Sequence, residues 1–174
     1  MTKSFYYIGV LIGMFLFDEN SCFAKDDSLK LRQNIRRLAR KISHYKTVDF
    51  GLVGFSPVNT KQYERSMTLS GQATDRELVL LTDHKSPKVR VYAFDILAAR
   101  KHKDLKSILE KHILDSAIFT SRSGCMRGTD RVNWHFLDRL TPRANRDTDI
   151  TLSNEEVEYY KNKMSTAVNP RMEK

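Results

Sequence analysis

Residues 74–102, TDRELVLLTDHKSPKVRVYAFDILAARKH, constrain the fold more than any other part of the chain. Thr74 followed by Glu77 is a capping box, in which each side chain satisfies the other's free backbone N–H at a helix start. Leu78, Val79, Leu80 and Leu81 give that helix an apolar surface. Ser86 then stands at the cap position of a second helix, with Pro87 at its first turn, where a missing N–H costs nothing. Val89, Ala93, Ile96 and Leu97 make one face of this helix, and Val91, Phe94 and Ala98 widen it. A helix apolar over so much of its girth is packed on several sides. Arg100, Lys101, His102 and Lys103 put positive charge at its negative end.

The flanking segments read mostly as helix. Leu31, Ile35, Leu38, Ile42 and Tyr45 recur at steps of three and four, predicting an amphipathic helix over 28–45 with Asp27 or Ser28 as its cap. Residues 47–57, TVDFGLVGFSP, contain two glycines and a proline, and are expected to form a buried connector or a short extended piece. A short helix is expected over 59–69, ended by Ser70 and Gly71. Asp104 caps an expected helix over 105–114. A long polar loop, 116–128, precedes another helix over 129–140 that carries Val132, Phe136, Leu137 and Leu140. Residues 142–151 read as a linker, Ser153 and Glu156 as a second capping box, and the helix after them as reaching about Met164 before a frayed tail. Seven glycines and four prolines are few for a many-turned β fold. The predicted class is therefore all-α.

The central segment resembles a HEAT-type helical repeat, through Leu78, Leu81 and Asp83 on the first helix and Pro87, Val89, Arg90, Ala93 and Leu97 on the second. The resemblance implies that Asp83, Pro87 and Arg90 form the inter-helix corner, although that corner is one residue longer than the usual pattern. Val89 and Val132 lie 43 residues apart, within the period of such arrays, whereas Leu81 and Ile108 lie only 27 apart. An insertion at 116–128 within a second repeat would reconcile the two. The wording TDHKSPKVRVYAF, KHILDS and SGC over 54–140 is also similar to a group of exported bacterial proteins with HEAT-like repeats. That similarity implies a short α-solenoid of about two helix pairs and an exported location, and brings no activity with it.

The N-terminal residues point the same way on compartment. Lys3 precedes an uncharged run, FYYIGVLIGMFLF at 5–17, and a polar stretch ending in Cys22 and Ala24. This is the pattern of a secretory signal peptide cleaved after Ala24. The run is short for a membrane span, which needs about 20 residues. Domain organisation is then 1–24 signal peptide, 25–140 helical domain with a basic first helix, and 141–174 linker, helix and tail. Loss of Lys3, Asp18 and Glu19 raises the formal net charge from +9 to +10. In an exported protein such charge favours an anionic envelope surface or a protein partner over nucleic acid.

No sequence pattern specifies a reaction. There is no phosphate loop, nucleophile elbow or dinucleotide fingerprint, and no cofactor is implied. The five histidines show no metal-ligand spacing. Cys125 would be the one cysteine left after cleavage, and a catalytic pairing with His112 or His135 is the enzymatic alternative. The binding candidates are Arg122, Cys125, Arg127 and Arg131 in and beside the 116–128 loop, where arginines around a Ser-Gly segment suit phosphate or carboxylate. Trp134, Tyr159 and Tyr160 are candidates for an aromatic groove. The expected function is a non-enzymatic adaptor that binds another protein through stacked helices. Attachment to an anionic lipid or polymer surface through the basic 28–45 helix and the arginine loop is the alternative.

Overall fold

The computed structural model describes residues 31–54, 58–142 and 152–168. The expected signal peptide, the Asp27 or Ser28 cap, most of the linker and the end of the tail lie outside them. Among the described residues the elements are α1 (Gln33–His44), β1 (Val48–Val53), α2 (Lys61–Gln72), α3 (Asp75–Thr82), α4 (Pro87–Ala99), α5 (Leu105–Lys111), β2 (Ile118–Gly124), β3 (Met126–Arg131), α6 (Val132–Leu140) and α7 (Asn154–Val168).

Helix α4 is the hub. It buries Val89, Val91, Tyr92, Ala93, Phe94, Ile96, Leu97 and Ala98, and it packs on α1, α3, α5, α6 and both β1 and β2. Its Phe94 ring stacks on Phe136 of α6 at 3.9 Å. The Thr74–Glu77 capping box forms at the start of α3. Pro87 opens α4, whereas the Ser86 side chain makes no capping bond. At its C-terminus Lys101 adopts φ 56°, and the N–H groups of Lys101 and His102 bond back to the carbonyls of Ala98 and Leu97. That is a Schellman stop in which lysine occupies the left-handed position usually given to glycine.

The all-α expectation is overturned by a three-stranded mixed sheet of order β1-β2-β3. β1 runs parallel to β2, with Asp49 opposite Arg122, and β2 pairs antiparallel with β3 from Ile118–Arg131 to Ser123–Met126. The segment expected as a polar loop is thus a hairpin. Gly124, at φ 54°, and Cys125 form its two-residue turn, and a positive φ at the first turn residue matches the twist of the flanking strands. Residues 129–131 belong to β3, so α6 begins only at Val132. What separates α5 from α6 is therefore not an insertion in a solenoid but two strands of a sheet.

The sheet is fixed at one edge and open at the other. The outer edge of β1 meets Tyr92 of α4, whose hydroxyl accepts from the Asp49 N–H at 2.6 Å and faces the Asp49 carbonyl at 3.1 Å. A side chain thereby takes the role of a neighbouring strand, satisfying backbone groups that burial would otherwise strand. Among the described residues β3 has no strand beyond it, and its residues 126–129 are exposed.

The corner residues Asp83 and Arg90 do not pair. Arg90 donates to the corner carbonyls of His84 and Lys85 at 2.7 and 3.2 Å and binds Asp115, ahead of β2. Asp83 instead contacts Lys111 and His112. The α3–α4 corner is in this way tied to the segment that leads into the hairpin.

Candidate functional site

The site grows from one buried carboxylate. Asp49 is fully buried in β1, where an unpaired charge would be costly. Arg122 of β2 meets it with two nitrogens, Nε to Oδ1 at 3.0 Å and Nη2 to Oδ2 at 2.7 Å. Thr47 and Thr60 each donate to it at 2.6 Å. Burial pushes the Asp49 pKa up, but the bonds from Arg122, Thr47 and Thr60 outweigh it and hold the carboxyl below its ordinary value. Thr60 also caps α2 by accepting from the Tyr63 N–H. One carboxylate thus joins β1, β2 and the start of α2.

Asp49 is taken up by Arg122, and among the described residues the surrounding cations Arg40, Lys41, Lys46, Arg65 and Arg127 form no ion pair. Arg127 lies directly across from Arg122 in the hairpin, and paired residues project to the same face. Arg122 and Arg127 line a cavity of about 380 Å³ together with His44, Tyr45, Lys46 and Thr47. A second hollow of about 380 Å³ adjoins it, lined by Arg40, Lys41, His44, Tyr45 and Arg65. Tyr45 is the wall between them. The Arg65 guanidinium lies 5.6 Å from its ring centroid, and Arg122 Nη2 lies 3.4 Å from its hydroxyl. Among the described residues neither lining includes an acidic side chain.

Of the residues singled out in the sequence, the structure brings Arg122 and Arg127 together, with Cys125 exposed at the turn beyond them. Arg131 pairs with Ile118 at the base of the hairpin, roughly 13 Å along the strand from Arg122. Trp134 is half-buried against the core. Tyr160 is buried and donates to Glu110 at 2.8 Å, while Tyr159 is exposed. The imidazoles are engaged elsewhere: His135 with Asp95 at 3.0 Å, and His112 with Asp83 and Asp115. Neither is a hydrogen-bond partner of the Cys125 thiol. Among the described residues no group of three or more His, Cys, Asp or Glu side chains is placed to hold a metal ion.

Sequence reasoning offered the 28–45 helix, with Arg40 and Lys41, only as a surface-attachment alternative, and missed Lys46 and Arg65 as members of the site. A signal was present in the run Arg40, Lys41, His44, Lys46 around Tyr45, but it read as the solvated side of an amphipathic helix. Arg65 gave no signal, since only the fold brings α2 beside Tyr45.

Comparison of the chain with protein-family models, with curated proteins and with solved structures returned no match.

Proposed function

We propose that the protein is a non-catalytic binding module for an anionic polymer carrying phosphate or carboxylate groups, held across Tyr45 by the two basic hollows. The observation that carries this reading is the set Arg40, Lys41, Lys46, Arg65 and Arg127 around hollows that, among the described residues, have no acidic side chain in their linings. Crowded like charges that lack a counter-charge raise the local concentration of anions. Arginines offer forked donors suited to phosphate and carboxylate. Two hollows sharing His44 and Tyr45 suit successive charged groups of a chain better than a single small ion. The apolar run at 5–17 supports a working place outside the cytosol, where envelope polymers are such chains. Adaptor function through stacked helix pairs loses its premise, because the sheet stands where a second pair was expected.

The test is fluorescence anisotropy of end-labelled polyphosphate titrated with the chain at several salt concentrations. Affinity is expected to fall linearly on logarithmic axes as salt rises, as counter-ion release requires. The double variant Arg65→Glu, Arg127→Glu is expected to bind at least about tenfold more weakly. Affinity indifferent to salt, or unchanged in that variant, overturns the reading.

A further inference from the structure

A second cleft, distinct from the basic hollows, lies between β1, α2, α4 and α6. It encloses about 280 Å³ and is lined by Phe50, Tyr63, Met67, Ile96, Ser66 and Ser70 among others, with Asp95 and Arg139 in its wall. Phe50 presents its ring to the cleft from β1, and the neighbouring Asp49 also borders it. The Phe50 ring stacks on His135 at 5.4 Å.

The charged pair in the wall has unused bonding capacity. His135 Nε2 and Arg139 Nε both converge on Asp95 Oδ1, at 3.0 and 2.9 Å. The Arg139 Nε hydrogen is not aimed at that oxygen, so the contact is a charge pair and not a hydrogen bond. Asp95 Oδ2 and the terminal nitrogens of Arg139 have no partner among the described residues. Yet the two side chains are only 17% and 26% exposed. The one buried unpartnered atom of the pair is Arg139 Nε; the acceptor and the donor fork stand side by side at the cleft, open to solvent or to a ligand.

Three properties narrow the ligand. The volume falls just under the roughly 300 Å³ at which drug-sized pockets begin, so the occupant is small. The aromatic and aliphatic walls favour an apolar body. The Asp95–Arg139 pair is neutral as a whole, so a ligand of one charge would meet one attractive and one repulsive partner. A molecule bearing both charges on neighbouring atoms meets two attractive ones. We propose that this cleft binds a small zwitterion of the α-amino-acid type, with its carboxylate on Arg139, its ammonium on Asp95 Oδ2 and an apolar side chain against Phe50, Tyr63, Met67 and Ile96.

Calorimetric titration of the full chain with L-phenylalanine and L-leucine, against N-acetyl-L-phenylalanine and phenethylamine, tests this. At least one free amino acid is expected to bind at millimolar concentration, and the acetylated acid and the amine at least about tenfold more weakly. Asp95→Asn and Arg139→Gln should each lose a similar factor. Since both side chains also tie α4 to α6, Ser70→Trp serves as a second variant that fills the cleft and leaves the pair intact. It should abolish amino-acid binding while leaving polyphosphate binding unchanged. Absence of binding by both amino acids, equal binding of the singly charged analogues, or binding that survives Ser70→Trp overturns the proposal.

Discussion

The α3–α4 pair and the β2–β3 hairpin occupy adjacent stretches of the same sheet-on-helix core and are held by opposite means. In α4, nine residues are buried, and eight of them are apolar apart from the Tyr92 hydroxyl. The pair is held by many dispersed contacts, each small and together dominant. In the hairpin only Phe119 is buried, and Met126 is 76% exposed. Its place depends on backbone pairing, on the Gly124 turn and on the single Asp49–Arg122 ion pair. One region is therefore stability with little surface chemistry. The other is surface chemistry held at a few points, which is the arrangement expected of a contact element on a rigid support.

Deletions at the two kinds of anchor should separate these roles. Phe94→Ala removes half of the ring stack with Phe136 in the hub and is expected to cost about 3–5 kcal/mol in urea unfolding. The whole chain should lose stability together. Asp49→Ala leaves Arg122 facing a buried cleft and is expected to cost about 3 kcal/mol, at the low end for a broken buried pair because Arg122 is itself 30% exposed. Amide exchange should then accelerate first in β1 and the hairpin, ahead of α3 and α4. If exchange instead rises uniformly, the hairpin is not a separately anchored unit.

Acid titration probes both regions with a smaller effect. Arg32 holds the Glu77 carboxyl at about 2, against an ordinary 4.5, with the Thr74 capping bonds helping. Asp49 is also held below its ordinary value. Each folded carboxyl releases its proton more readily than the unfolded one, so the unfolded chain binds more protons across this window. The stabilisation is complete above about pH 4.5 and is lost as pH falls through about 2. The Glu77 contribution is tempered because Arg32 is 53% exposed. Glu77→Gln should flatten the pH dependence of the melting temperature in this range; an unaltered slope would contradict the assignment. The smallest change is a gain. Lys101→Gly at φ 56° should stabilise by about 0.5–1 kcal/mol, read as a raised melting temperature, since glycine adopts that conformation without strain.

The same contrast explains what the sequence disclosed. The α3–α4 pair was legible because its signals are local: the Thr74–Glu77 box, Pro87 and a helical apolar period all lie within a few residues of what they specify. Ser153 and Glu156 likewise form their box at the start of α7. The hairpin was not legible, because Ile118–Gly124 alternates with Phe119 as its one buried apolar anchor, and Gly-Cys is not one of the strong turn pairs. Few glycines and prolines argued against β structure, yet a three-stranded sheet needs only one tight turn. Asp49 lies in the stretch expected as a buried connector, where nothing local marks its charge as paired, and its partner lies 73 positions away. Arg122 and Arg127 were visible as a pair, but the hollows around Tyr45 exist only once α1, α2 and the hairpin meet.

The central claim is that the hairpin and the end of α1 receive the anionic polymer while the helical hub supports that site. Hydrogen–deuterium exchange of the chain with and without polyphosphate tests it most directly. Added protection is expected in residues 44–47 and 122–127, with residues 87–99 unchanged. Protection confined to residues 87–99, or none in the hairpin, would contradict the account.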